Sequence, residues 1–198
     1  FKNINLYLGE DSHLVCYPIN DKLETSFIGI FKTENSSEET WRREGTHKEL
    51  SADLKMYDSF MHSLFRSSDK VYRWGMYTRP SLKSLINKNI TLLGDAAHPM
   101  LPFLAQGANM AIEDSFIFGN LCKNFSNDFV KIQKYYEKIR LKRVNKVKNL
   151  SRQQATIYHI SNPIFLGMRN FMLKNTNITL SRLKNIYNYS AIEELSRI

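Results

Sequence analysis

Cysteine is nearly absent from this 198-residue sequence, in which Cys16 and Cys122 stand 106 positions apart with no Cys-x-x-Cys or Cys/His spacing. That pattern excludes a disulfide framework and a zinc site; no metal is expected, and a reducing cytoplasm suits it. Both thiols are expected as small buried hydrophobes. Proline and glycine are also scarce, at 5 and 8 residues, and no two glycines lie within two positions of each other. Collagen-like repeats and flexible linkers are therefore excluded, and so is a Gly-x-Gly-x-x-Gly turn for a dinucleotide pyrophosphate. No apolar run reaches the roughly 18 residues that span a bilayer, and the opening residues, from Phe1 onward, lack the order of a secretory signal. What is present is ordinary globular material, 42% hydrophobic and 24% charged. It is enough for one domain or two small ones.

The net charge is +9, from 28 basic and 19 acidic residues. Lys131 to Arg152 holds nine basic residues against one acidic, a balance of +8, so the rest of the chain is near neutral. Charge confined to one helix reads as that helix's solvated face, and no nucleic-acid partner is expected. The apolar tail residues Ile164, Phe165, Leu166, Met168, Phe171 and Met172 are expected to pack against the body or a second copy in a homodimer. Peripheral membrane contact is the less favoured alternative.

Alternation predicts strands at Ile4 to Leu8, His13 to Ile19 and Phe27 to Phe31, joined as an antiparallel meander, with a polar loop at 34–39. A helix is predicted from Ser51, with Leu54, Tyr57, Met61, Leu64 and Phe65 on its apolar stripe and Ser51 or Asp53 as cap. Val71 to Tyr77 reads as a strand, and Asn89 to Leu93 as a buried one that stops at Gly94-Asp95. A Pro- and Gly-bearing turn follows, then a helix carrying Met110, Ile112 and Phe116. A long amphipathic helix runs from Asp128 to about His159, and a weaker helical pattern from Ile164.

The chemistry concentrates between Gly94 and Met110. A carboxylate at the end of a buried strand, here Asp95, points into the crevice where α/β sheets bind ligands and can accept hydrogen bonds from polyol hydroxyls; Gly94 beside it leaves room for close approach. Gln106-Gly107-Ala108-Asn109-Met110 opens a helix with small side chains, leaving backbone N–H groups and the positive end of the dipole for an anionic or electron-rich group. A cofactor with a polyol and a delocalised ring suits that pairing.

The run Ile90 to Ser115, ITLLGDAAHPMLPFLAQGANMAIEDS, closely resembles the second flavin-binding motif of the class A FAD-dependent monooxygenases, the aromatic-ring hydroxylase family. His13 to Ile19 resembles a strand of that family's substrate-domain sheet and Tyr77 to Pro80 the segment before the motif strand. Tyr136, Glu137, Arg140, Arg143, Ser151, Arg152, Tyr158 and His159 are similar to positions of its C-terminal helix. The resemblance implies an α+β fold: an antiparallel substrate-domain sheet and helix over residues 1–80, the last strand and helices of an incomplete FAD-binding α/β domain over 81–122, and C-terminal helices over 123–198. It implies FAD as cofactor, with Gly94 and Asp95 at the ribityl chain, Pro99 and Pro102 shaping the loop beside the ring, and Gly107, Ala108, Asn109 and Met110 presenting backbone to its pyrimidine side.

It further implies reduction by NADH or NADPH, activation of O2 and hydroxylation of a small aromatic substrate, phenolic or carboxylated, as in the salicylate-hydroxylase-like branch. His13 and Tyr17, on one face of a strand, are substrate-side candidates, whereas His98 is read as structural, held by backbone groups. A polyene epoxidase, which shares Met110 to Ser115, or a ubiquinone-type hydroxylase are the alternatives within the class, and a non-catalytic basic interaction module with a remnant flavin motif is the alternative outside it. Two departures stand out: the family's pyrophosphate-binding glycine turn is missing, and Thr78 occupies a position that is often acidic. The chain is accordingly read as a C-terminal portion, expected by itself to be inactive and to bind FAD weakly or not at all.

Overall fold

The structure, a computed structural model, describes residues 3–20, 24–33, 40, 43–126 and 128–198. The expected loop at 34–39 lies outside them. Contacts group the chain into two units, Phe1–Met76 with Thr156–Phe171, and Tyr77–Ala155 with Met172–Ile198.

The first unit is built on the predicted meander. Strands β1 (Asn5–Leu8), β2 (Ser12–Pro18) and β3 (Thr25–Phe31) pair antiparallel in that order, with Leu8 opposite His13 and Tyr17 opposite Ser26. As the central strand, β2 is covered on both faces: Leu14 and Cys16 point one way and His13 the other, and all three are buried. Leu14 packs with Leu54, Met61 and Phe65, flanked by Phe27, Phe31 and Leu50.

Those apolar partners come from two helices rather than the one predicted from Ser51. Helix α1 spans His47–Asp53 and α2 spans Ser59–Arg66. Thr46 and Glu49 form a reciprocal capping box, Glu49 N–H to Thr46 Oγ1 at 3.2 Å and Thr46 N–H to Glu49 Oε2 at 2.9 Å, and these bonds hold the Glu49 carboxyl below its ordinary range. Asp58 caps α2 through Met61 N–H at 3.0 Å. Ser51 and Asp53 therefore lie inside α1 and cap nothing, because a cap in phase with the apolar stripe divides it. Thr46→Ala should cost about 1 kcal/mol, read as a lowered denaturation midpoint. The expected strand at Val71 to Tyr77 shortens to β5 (Val71–Tyr72), paired with β4 (Glu44–Gly45).

The second unit begins with a hairpin, β6 (Ile86–Asn87) against β7 (Ile90–Thr91). The predicted buried strand Asn89 to Leu93 is thus paired over two residues only, and Ile90 is 60% exposed. A strand is buried on both faces when neighbours flank it, and among the described residues β6 is its one partner. In chain order there follow α3 (Gly94–Ala97), a 3-10 turn at Pro102–Leu104, α4 (Gly107–Phe125), α5 (Phe129–Tyr158), α6 (Pro163–Asn175), α7 (Ile178–Tyr187) and α8 (Ala191–Ser196), of which the end of α5 and most of α6 belong to the first unit. Two apolar clusters hold this unit, one of Leu85, Ala97, Ile117, Leu121, Ile132 and Tyr136, the other of Met110, Val144, Val147 and Ile186. Cys122 is half-buried beside the first cluster, not fully enclosed as expected.

Helix α5 starts one residue from its expected boundary and buries Ile132, Tyr136, Arg140, Arg143, Val144, Val147, Lys148 and Ser151, a stripe of helical period. The basic run is consequently not one solvated face: Lys131, Lys134, Lys138, Lys142 and Lys146 are exposed, but Arg140, Arg143 and Lys148 are buried. Along α5, Glu137 accepts from Leu85 N–H (2.7 Å), while Asn145, Lys148 and Arg152 donate to the carbonyls of Leu82 (3.4 Å), Pro80 (3.3 Å) and Arg79 (2.7 Å). These bonds give the irregular segment before β6 its backbone partners. Of the two places expected for the tail, the body is not the one used by Ile164, Phe165, Met168, Phe171 and Met172, which are exposed. Among the described residues no helix is long and apolar enough to cross a membrane.

Candidate functional site

Helix α4 opens at Gly107 with Gln106 as a cap that makes no side-chain bond to the helix backbone. The N–H groups of Gly107, Ala108 and Asn109 have no acceptor among the described residues, as at any helix start without a side-chain cap. Ala108 and Asn109 are exposed, and a methyl group built on Gly107 would meet nothing within 4 Å. Met110 differs: its N–H closes the first turn on the Gln106 carbonyl at 2.9 Å, its own carbonyl accepts from Arg140 Nη2 at 3.2 Å, and its side chain is in the core.

In the same unit, Asp95 stands in the first turn of α3, exposed, with no described residue bonded to its carboxylate. Pro99 is half-buried, and Pro102 is exposed at the first position of the 3-10 turn. Gly94 has φ of +56°, a conformation that strains any residue with a Cβ, and its N–H donates to Asp114 Oδ2 at 2.8 Å. Glycine is thus required by the backbone itself, in addition to any close approach of a ligand. Asp114, on α4, carries no solvent exposure at all; besides Gly94 it accepts from His98 Nε2 and Arg140 Nε, each at 2.6 Å. Burial pushes its carboxyl up, but the bonds from His98 and Gly94 and the Arg140 guanidinium prevail and hold it below the usual range. The His98 ring is wholly buried and is held by the Asp114 carboxylate, not by the backbone groups expected of it.

Arg140 also reaches Glu113 Oε2 (2.6 Å) and Tyr189 Oη (3.3 Å). Arg143 binds Glu113 Oε1 (2.8 Å) and the Ile186 carbonyl (3.1 Å), and its guanidinium lies 4.2 Å from the Tyr189 ring centroid. The Glu113-Asp114 pair and the Arg140-x-x-Arg143 spacing are visible in the sequence, but nothing local says that the two pairs meet. The other two candidates belong to the first unit. His13 is buried with Nδ1 2.8 Å from His159 Nε2 and its ring centroid 5.1 Å from that of Tyr158, while Tyr17 is half-buried on the same face of β2. Burial first, and His159 second, push His13 down to about 4.

A carboxylate on α3 and three backbone donors at the start of α4, none with a partner among the described residues, are the donor and acceptor set a flavin's ribityl hydroxyls and pyrimidine edge need. A family model for an FAD binding domain matches residues 2–149. The chain belongs to this FAD-binding-domain family. The 3-amino-4-hydroxybenzoate 2-monooxygenase PtnB3 of Streptomyces platensis is 30% identical over 154 residues, which are 78% of this chain and 39% of that protein. The 3-hydroxybenzoate 6-hydroxylase of Klebsiella oxytoca is 29% identical over 154 residues, 78% of this chain and 38% of that one. A solved salicylate hydroxylase substrate complex superposes with a TM-score of 0.79 at 25% identity, covering 96% of this chain and 48% of its own. The FAD-binding-domain chain thus spans about 39% of the length of the first of these relatives. The α+β architecture, a meander followed by part of an FAD-binding fold, is shared with that solved structure.

Proposed function

We propose that this protein is an FAD-dependent monooxygenase that hydroxylates a small aromatic substrate, phenolic or carboxylated, with O2 as co-substrate and NADH or NADPH as electron donor. The observation that carries this is the pairing, within one unit of a family member, of the unbonded Asp95 carboxylate with the uncapped start of α4. Bound FAD would supply the redox chemistry and the activation of oxygen. Asp95 would accept from a ribityl hydroxyl. The Gly107, Ala108 and Asn109 N–H groups would face the electron-rich pyrimidine edge, where the helix dipole favours negative charge. Pro99 and Pro102 would fix the loop between them, and the rigid φ of each limits its movement. On the substrate side, Tyr17 is the group with exposed surface to offer. His13, enclosed by His159 and Tyr158, would orient the strand instead of touching substrate.

Asp95→Ala in the holoenzyme should raise the FAD dissociation constant about tenfold, the size of one lost charge-assisted hydrogen bond. Titration followed by flavin fluorescence measures it, and unchanged FAD retention would reject the assignment.

A further inference from the structure

Helix α3 has four residues, Gly94 to Ala97, and one backbone bond across them, His98 N–H to the Gly94 carbonyl at 2.9 Å. A single turn of that kind has no stability of its own, because nucleation costs more than one bond returns. Its N-cap, Leu93, offers no side chain to hold it. Beyond the burial of Ala97 in the apolar cluster, what holds it is a single carboxylate from the neighbouring helix. Asp114 Oδ2 takes the Gly94 N–H at one end of α3 and the His98 Nε2–H at the other, while Oδ1 is fixed by Arg140 Nε. Asp95 lies between the two gripped ends, and no described residue bonds its carboxylate.

We propose that Asp114, with His98 as the second jaw of the clamp, is a positioning residue for the flavin: it fixes the α3 turn and thereby aims Asp95. This rests on the assignment of Asp95 to FAD. Asp114 accepts three N–H donors and gives none, a task only an ionised carboxylate can do. An asparagine has one acceptor oxygen, and its amide N–H would confront a donor on Gly94, His98 or Arg140. His98 contributes one donor. Its Nδ1 is buried without a partner among the described residues, so the ring works through Nε2 alone, and glutamine carries an equivalent donor.

The test compares FAD dissociation constants for the full-length protein and its D95A, D114N and D95A/D114N variants, with thermal melting of each apoprotein. If Asp114 acts through Asp95, D114N weakens FAD binding by about tenfold or more but adds nothing in the D95A background. A D114N constant within about twofold of the parent, or factors that multiply in the double variant, would overturn the positioning role. Loss of effect in D95A itself would instead overturn the assignment of Asp95, a distinct result. Where D114N fails to fold, H98L and H98Q carry the same question: weaker FAD binding in H98L with recovery in H98Q supports the clamp, and equal loss in both sinks it.

Discussion

Arg140→Ala will destabilise the second unit by about 3–5 kcal/mol, the largest effect of any single substitution considered. Arg140 is wholly buried, and each of its three nitrogens is used: Nε on Asp114, Nη1 on Glu113 and Tyr189, Nη2 on the Met110 carbonyl. Alanine would leave the Asp114 charge enclosed and short of its counter-ion, so the desolvation already incurred would go uncompensated. Arg140→Lys should recover less than half of the loss, since one ammonium cannot reproduce a planar fork. Chemical denaturation of the three proteins at neutral pH measures this, and a difference below about 1 kcal/mol would show that the network behaves like a surface ion pair. The exposed Lys32–Asp11 pair at 3.4 Å is such a surface pair, and its removal should hardly register.

The first unit should lose stability as pH falls from about 6.5 to about 4. Folded, the enclosed His13 resists protonation down to about 4, through burial and the neighbouring His159; unfolded, it takes a proton at its ordinary 6.5. The unfolded chain therefore binds more protons across that window, so stability is fully present above 6.5 and is lost progressively below it. The loss is on the order of 3 kcal/mol by pH 4. His159, pushed down by its own burial, acts in the same direction, with Asp11 opposing it and Lys32 reinforcing it. Hydrogen exchange of β2 amides at pH 7, 5.5 and 4.5 should follow this course, and His13→Gln should flatten it. A variant with an unchanged slope would place the acid sensitivity elsewhere.

The meander and the long helix were legible because both elements bury a face with a clean period. Leu14 and Cys16 alternate in β2, and Ile132, Tyr136, Val144 and Val147 recur in α5. The helix from Ser51 was not, since Leu50, Leu54, Met61 and Phe65 keep their stripe across the break and only Asp58 marks it. The short β7 has the composition of a central strand, but pairing depends on neighbours and not on its own residues. At the candidate site, Gly94, Asp95 and the start of α4 could be picked out by local chemistry. Asp114 could not: a carboxylate in an amphipathic helix reads as surface, and what buries it is an arginine 26 positions away. Lys148 was misread for the same reason, its burial being set by the Pro80 carbonyl of a distant segment.

The match to the FAD binding domain stops at residue 149, yet the interior does not. Leu183 and Ile186 complete one apolar cluster, Ala191 and Leu195 flank the other, and Tyr189 covers the paired guanidinium groups of Arg140 and Arg143. The stretch that the family model matches and the stretch that builds this unit's interior therefore have different edges. Without α7 and α8, both apolar clusters would open and the ion pairs of Arg140 and Arg143 with Glu113 would lose the Tyr189 ring that lies over them.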